Sequence, residues 1–331
     1  MLYVLFFASV VLTVVLGDDL IPLPTSLQHT FEKMNEVKNR RGYDNSDTLV
    51  ATWIYSYSWG DERKMEVESI KCSIRLFHNN IGGHTPARAY VFYRIAPPDS
   101  VKEEIKKYSK RTHFIKLSDE DWKIPENAEK KRDRWTTTGF GDDYRLMGHW
   151  RLTHFLTFFY KLGFKYVLFL DDDSYVWGPI EEHLVKGFKE KQISVAYKNV
   201  AHDEEPARGL AELARYFIVS NSYTPTQLYK DCKPDNIMGV YTGKLDKDGW
   251  QYSVMYGNFV IIGLDFYFQP LVQEFLKLVI NTGDQIVHRW NEQLVFGMIR
   301  LMFAKPENDL KMQFKFEHGD RDRHNARFCP K

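Results

Sequence analysis

Residues 166–178 read YVLFLDDDSYVWG, and this stretch decides the fold. Tyr166 to Leu170 are apolar without a break and run straight into Asp171, Asp172 and Asp173. A short continuous apolar run reads as a strand buried on both faces, the usual state of a central strand in a parallel sheet. Three carboxylates at its end repel one another, which raises their pKa values unless positive charge lies nearby; a divalent cation commonly supplies it. Open α/β sheets bind ligands at the carboxyl ends of their strands. In a strand the side chains alternate faces, so Asp171 and Asp173 are expected to point one way and Asp172 the other. The competing reading is a solvated acidic turn. Two neighbours argue against it. Residues 174–177, SYVW, continue as a β-like apolar path. Upstream, residues 150–161, WRLTHFLTFFYK, form an apolar helix pattern closed by Gly163, half of a βαβ unit.

Working outward, the same alternation recurs. Strand patterns fall at residues 48–57, 87–93, 112–117, 192–197 and 252–264. Helical patterns fall at 63–79, 100–108, 207–217, 266–282 and 287–303. Residues 59–61, Trp-Gly-Asp, are a turn signal. Strands alternating with helices predict an α/β fold with a mixed, mostly parallel central sheet flanked by helices. At 331 residues with 44% hydrophobic content, the chain has ample material for one large domain. The polar loop at 118–139 carries Lys130, Lys131, Arg132 and Trp135 and reads as a solvated loop, with phosphate binding as its second reading.

The formal net charge of +1 gives no case for a nucleic-acid partner. Residues 2–16 are apolar and uncharged, shorter than the about 20 residues a membrane span needs. We read residues 1–17 as a signal peptide or a short signal-anchor, the membrane being met only there, residues 18–46 as a lead-in or stem, and 47–331 as the globular domain. The body is then expected in the secretory pathway. Cys72, Cys232 and Cys329 allow at most one disulfide, the pair being open.

With these features in hand, the chain resembles a known family over roughly residues 47–330: the fungal-type Golgi α-1,2-mannosyltransferases. The resemblance rests on an ordered series of weak motifs. Ala51-Thr52-Trp53 and Glu68-Ser69-Ile70 are similar to the family's opening strand and its VESI helix. Tyr144-Arg145-Leu146-Met147-Gly148-His149-Trp150 resembles its YRxMCRF/W segment, and the three aspartates fall at its Glu-Pro-Asp. Tyr256-Gly257-Asn258-Phe259-Val260-Ile261 resembles its FWSNFEI, and Leu264-Asp265-Phe266 its LDF. Arg289-Trp290-Asn291-Glu292 resembles its RWGD, and Phe328-Cys329-Pro330 its terminal HCP. The sequence departs from the pattern at Gly148 and His149, at Val260, where the family has glutamate, and at Phe296, where it has a metal-binding histidine.

The resemblance implies a GT-A fold, Mn²⁺ or another divalent cation, GDP-mannose as donor substrate, and retaining transfer to a glycan or glycoprotein acceptor. Joined to the residue reading, it gives a candidate site. Asp173 is the first metal ligand, with Asp171 on the metal or the ribose and His318 or Asp320 completing the set from the tail. Asp171, Asp172 and Arg145 are expected at the nucleotide, Arg145 together with Tyr144 at the diphosphate, and Tyr144 and Glu292 as catalytic groups. Asp265 is expected to be a helix N-cap. Val260 and Phe296 favour a second reading, a lumenal nucleotide-sugar-binding protein of the same fold without catalysis.

Overall fold

The structure, a computed structural model, describes residues 20–55, 63–135, 141–201, 209–231, 254–319 and 329. The turn signal at 59–61, the apolar leader, Cys232 and Asp320 lie outside the described residues. Among the described residues no helix is long and apolar enough to cross a membrane.

The strands are β1 (Leu49–Tyr55), β2 (Ala87–Tyr93), β3 (Thr112–Lys116), β4 (Tyr166–Leu170), β5 (Ser174–Val176), β6 (Val195–Tyr197), β7 (Val200–Ala201), β8 (Val254–Met255), β9 (Phe259–Gly263), β10 (Asp309–Lys311) and β11 (Phe316–His318). Seven of them form one sheet in the order β10-β6-β9-β4-β1-β2-β3. β1 pairs in parallel with β2 and β4, β2 with β3, and β6 with β10; β9 runs antiparallel to both β4 and β6. The expected mixed, mostly parallel α/β sheet is therefore the observed one.

β4 is the fourth of the seven strands, and all five of its residues are buried. Val167 and Phe169 enter the core on one face of the sheet, Tyr166, Leu168 and Leu170 the core on the other. Burial on both faces is why the run carries no polar residue.

Several segments differ in detail from the sequence reading, among them the helix expected over 287–303, which begins at Glu292. The helix expected over 150–161 is two helices, Asp142–Leu152 and His154–Lys161. Thr153 stands between them, its hydroxyl donating to the His149 carbonyl at 2.7 Å, the back-bonding that bends helices. The strand expected over 252–264 is β8 and β9 with Tyr256, Gly257 and Asn258 between. Asp265 is not an N-cap: Gly263 holds that position before the helix Leu264–Tyr267, and Asp265 pairs with Lys165 at 2.8 Å. Pro270 and Gly283 do bracket the following helix, Pro270–Thr282, Gly283 at φ +70°.

The helix Thr25–Arg41 buries Leu27 and lays Phe31 and Met34 against the core, so this part of the lead-in packs on the domain. Cys72 and Cys329 are bridged, with Cα atoms 5.6 Å apart across 257 residues of sequence. Opening this bridge with Cys329→Ser should cost about 2–4 kcal/mol of stability, since a cross-link chiefly restricts the unfolded chain. Urea titration of the variant against the parent measures it, and a shift under ~0.5 kcal/mol would mean the bridge holds nothing.

Candidate active site

β4 stops at Leu170, and the three aspartates form the turn between it and β5. The Asp171 amide donates to Ser174 Oγ at 3.2 Å, and that hydroxyl donates to the Asn258 carbonyl at 2.9 Å, tying the turn to the residue just before β9. β11 then pairs antiparallel with β5, setting His318 opposite Ser174. In consequence His318 Nε2 lies 3.1 Å from Asp173 Oδ1 and 3.4 Å from Asp171 Oδ2. Asp171, Asp173 and His318 each offer a ligand atom, and these atoms lie within 4.8 Å of one another. Two carboxylates and one imidazole are a donor set suited to a hard or borderline divalent cation such as Mn²⁺. Asp171 and Asp173 converge as expected, but through a turn, since the strand pleat has ended before them.

Behind the acids stands a cation that the sequence reading missed. Arg151 is buried and donates to Asp171 Oδ1 at 2.8 Å and to Glu292 Oε1 at 2.6 Å. The signal was present: an arginine near the start of a mostly apolar helix run needs a partner if it is buried. Charges of alternating sign thus run Glu292, Arg151, Asp171, His318, Asp173. Burial pushes the Asp171 carboxyl up, but Arg151 and His318 overcome it and hold the group well below the usual carboxylate range. Burial pulls His318 down, yet its bonds to Asp171 and Asp173 raise it to about 10. Relief of carboxylate repulsion is therefore no reason for Asp173→Ala to stabilise the protein, because Arg151 and His318 already offset it.

The remaining expected residues divide. Tyr144 is half-buried and close to Glu292 and Asp171; burial and those two charges push its phenol up to about 12, so it stays a protonated donor. Arg145 is the residue expected at the diphosphate. It is buried and donates to the carbonyls of Ile286 and Val287, with the Trp135 ring 4.9 Å from its guanidinium. Burial and the neighbouring Arg289 lower its pKa. Glu292, expected on the acceptor side, opens the helix Glu292–Phe303 behind the N-cap Asn291 and is 2% exposed. Its carboxylate is taken by Arg151, and Gly148 leaves it room: a Cβ there would lie 3.0 Å from Glu292 Oε2. Asp172 is half-buried in the same turn and is not part of the three-residue group. The basic loop is tied down by acids, Lys130 by Glu126, Lys131 by Asp284, and Arg132 by Glu129 and Asp142.

Two departures from the motif pattern are apolar in their surroundings as well as in kind. Val260 is buried within β9, and Phe296 lies between Phe169 and Tyr267 at ring separations of 5.6 and 5.9 Å. Asn258, by contrast, is 1% exposed, and neither atom of its side-chain amide has a hydrogen-bond partner among the described residues.

With this geometry established, the fold can be set beside known ones. Solved structures of fungal mannosyltransferases share it. Core-mannan synthase A (CmsA/Ktr4) from Aspergillus fumigatus, in its Mn/GDP form, superposes with a TM-score of 0.67 at 13% identity, covering 82% of this chain and 74% of that one. The mannosyltransferase Ktr4p from S. cerevisiae gives 0.67 at 14% identity, covering 92% and 84%; its complex with GDP gives 0.66 at 13% over the same shares. The fold is thus of the GT-A type. At such identities what is shared is the fold. No protein-family model matches the chain, and no curated protein does.

Proposed function

We propose that the protein is a metal-dependent glycosyltransferase that takes its sugar from a nucleoside-diphosphate donor, with GDP-mannose as the donor and retention at the transferred carbon. A glycan or glycoprotein in the secretory pathway, most simply the Golgi lumen, is its acceptor. The observation that carries this reading is the convergence of Asp171, Asp173 and His318 at the carboxyl end of a central strand. The GT-A fold and the ordered motifs support it, and a Cys72–Cys329 bridge suits an oxidising compartment.

A divalent cation held by Asp171, Asp173 and His318 would neutralise charge on the leaving diphosphate. The protein's own contribution is positional. Arg151 fixes the Asp171 carboxylate, and Glu292 fixes Arg151, so we assign Glu292 to positioning. Tyr144 offers a protonated hydroxyl beside the same acids. The buried amide of Asn258 suits a donor and an acceptor hydrogen bond to a sugar hydroxyl pair, which would satisfy it. Arg145, held by two carbonyls, is left as a brace for residues 286–287.

The test is transfer from GDP-mannose to a mannoside acceptor, with and without Mn²⁺. Mn²⁺-dependent product supports the proposal; absence of both transfer and GDP binding overturns it. The apolar settings of Val260 and Phe296 favour the second reading, donor binding without catalysis, for which GDP and Mn²⁺ bind but no product forms.

Proton release gives a further check. His318 carries a proton up to about pH 10 while it bridges the two acids, and a cation must displace it. The affinity for Mn²⁺ should therefore rise about tenfold per pH unit between pH 6 and 9, one proton leaving per ion. Without a cation the sign reverses: a raised histidine pKa adds stability that is complete below 6.5 and lost as the pH climbs toward about 10. Titrating Mn²⁺ calorimetrically at several pH values measures the first effect, and a flat profile would remove His318 from the ligand set.

A further inference from the structure

At the opposite end of the sheet from the acids lies a cleft of about 700 Å³. Its floor is made where the parallel strands begin, by Thr48 before β1, Pro86 and Arg88 at the start of β2, and Arg111 before β3. The helix Thr25–Arg41 forms one wall. Lys33, Val37, Lys38 and Arg41 recur on this helix at the spacing that shares a face, and all four line the cleft. The volume is in the range of pockets that hold a small organic ligand.

The charge of this cleft is one-sided. Lys33, Lys38, Arg41, Arg88, Lys110 and Arg111 line it, and among the described residues no aspartate or glutamate does. The chain as a whole is nearly balanced, with 45 lysines and arginines against 44 acids, and many of its other surface cations sit on carboxylates. Of the acids beside the cleft, Asp44 is bonded to Ser46 and feels Lys38 only at a distance, while Asp47 is taken by Lys189. Six like charges around one concavity raise each other's cost and concentrate the field, an arrangement relieved by a bound polyanion.

Two more features specify the ligand. Two guanidinium groups meet the Tyr43 ring, Arg41 at 5.9 Å and Arg88 at 5.5 Å, with Arg88 also 5.9 Å from Phe164. Aromatic faces thereby hold two arginine forks in place, and such forks match phosphate and sulfate oxygens. Asn45 is 2% exposed; its Nδ2 donates to the Leu162 carbonyl, and its Oδ1 has no partner among the described residues. A buried acceptor at the cleft lining is open to one donor from a ligand, such as a hydroxyl. Oxyanions and a hydroxyl together describe a derivatised sugar ring. His113, stacked on Tyr90 at 4.7 Å, adds a neutral wall: burial and Arg88 lower it to about 4.

We propose that this cleft is a second binding site, for a sugar or cyclitol ring carrying several phosphate or sulfate groups, separate from the acidic site. The experiment is calorimetric titration of the full chain with myo-inositol hexakisphosphate and with a heparin-derived sulfated tetrasaccharide, maltotetraose being the neutral control. Micromolar binding of either polyanion, and none of maltotetraose, is expected, weakening at least about tenfold between 0.05 and 0.3 M salt as screening sets in. Binding of the hexakisphosphate alone assigns phosphate chemistry; binding of the tetrasaccharide alone assigns a sulfated glycan.

Lys110 and Arg111 are exposed, so the double variant Lys110→Glu/Arg111→Glu should fold, as its melting curve will show, and bind at least tenfold more weakly. Arg41→Glu on the facing helix should do the same independently. Asp173→Ala and chelation of divalent cations should leave polyanion binding unchanged, which separates this site from the acidic one proposed to hold the donor. Three results would overturn the inference: binding of neither polyanion, binding lost in Asp173→Ala but intact in both charge-reversed variants, or capture of phosphatidylserine vesicles with neither soluble polyanion bound.

Discussion

Replacing Asp173 with alanine should weaken the joint binding of Mn²⁺ and GDP by more than about a hundredfold and abolish transfer, whereas Asp172→Ala should change both by less than about fivefold. The asymmetry comes from the turn after β4. Asp173 Oδ1 faces His318 Nε2 at 3.1 Å and Asp171 Oδ2 faces it at 3.4 Å, so three ligand atoms surround one point. Asp172 offers no atom to that group. The fold should tolerate the change. Asp173 and His318 are both partly exposed and His318 keeps Asp171, so only part of the stability this histidine adds is lost. Calorimetric titration of Mn²⁺ with GDP into each variant decides the matter. Equal losses in the two variants, or no loss in either, would dismiss the paired-aspartate site.

Arg151→Met should instead unfold much of the protein's stability, by about 3–5 kcal/mol, because it strips the shared cation from two carboxylates. Glu292 is 2% exposed and its partner Arg151 only slightly more, so water cannot replace the lost guanidinium at Glu292. Removing one member of a buried pair leaves the other's desolvation uncompensated. Glu292→Gln should be milder, since Arg151 keeps Asp171 and gains an amide oxygen to bond. The double variant Arg151→Met/Glu292→Met should recover part of the loss in stability while Mn²⁺ binding stays impaired, because Asp171 is then no longer held. Urea unfolding of the three variants measures this. If Arg151→Met unfolded at the parent's midpoint, the bridging role would be wrong.

The fold was legible because its signals are local. An apolar run of strand length, the helix patterns on either side and Gly163 are each properties of neighbouring residues, and burial of β4 on both faces follows from them. The break at Thr153 was less legible, since a single hydroxyl turning back on the His149 carbonyl leaves the hydrophobic period almost unchanged.

The site was half legible. By itself the sequence determined that acids stand at the end of a buried central strand, where charge demands a counter-charge. It could nominate His318 or Asp320 from the tail, yet only the β5–β11 pairing brings His318 to the aspartates. Tertiary structure alone placed Arg151 at the acids and Arg145 at the carbonyls of residues 286–287. Both lie on the same helix, and six positions, nearly two turns, separate them, so which one meets Asp171 depends on how that helix is rotated against β4. It also joined Cys72 to Cys329, and gathered six cations from three separate segments into one cleft. Periodicity and burial are written along the chain; ion pairs and clefts depend on distances between segments that no local pattern encodes.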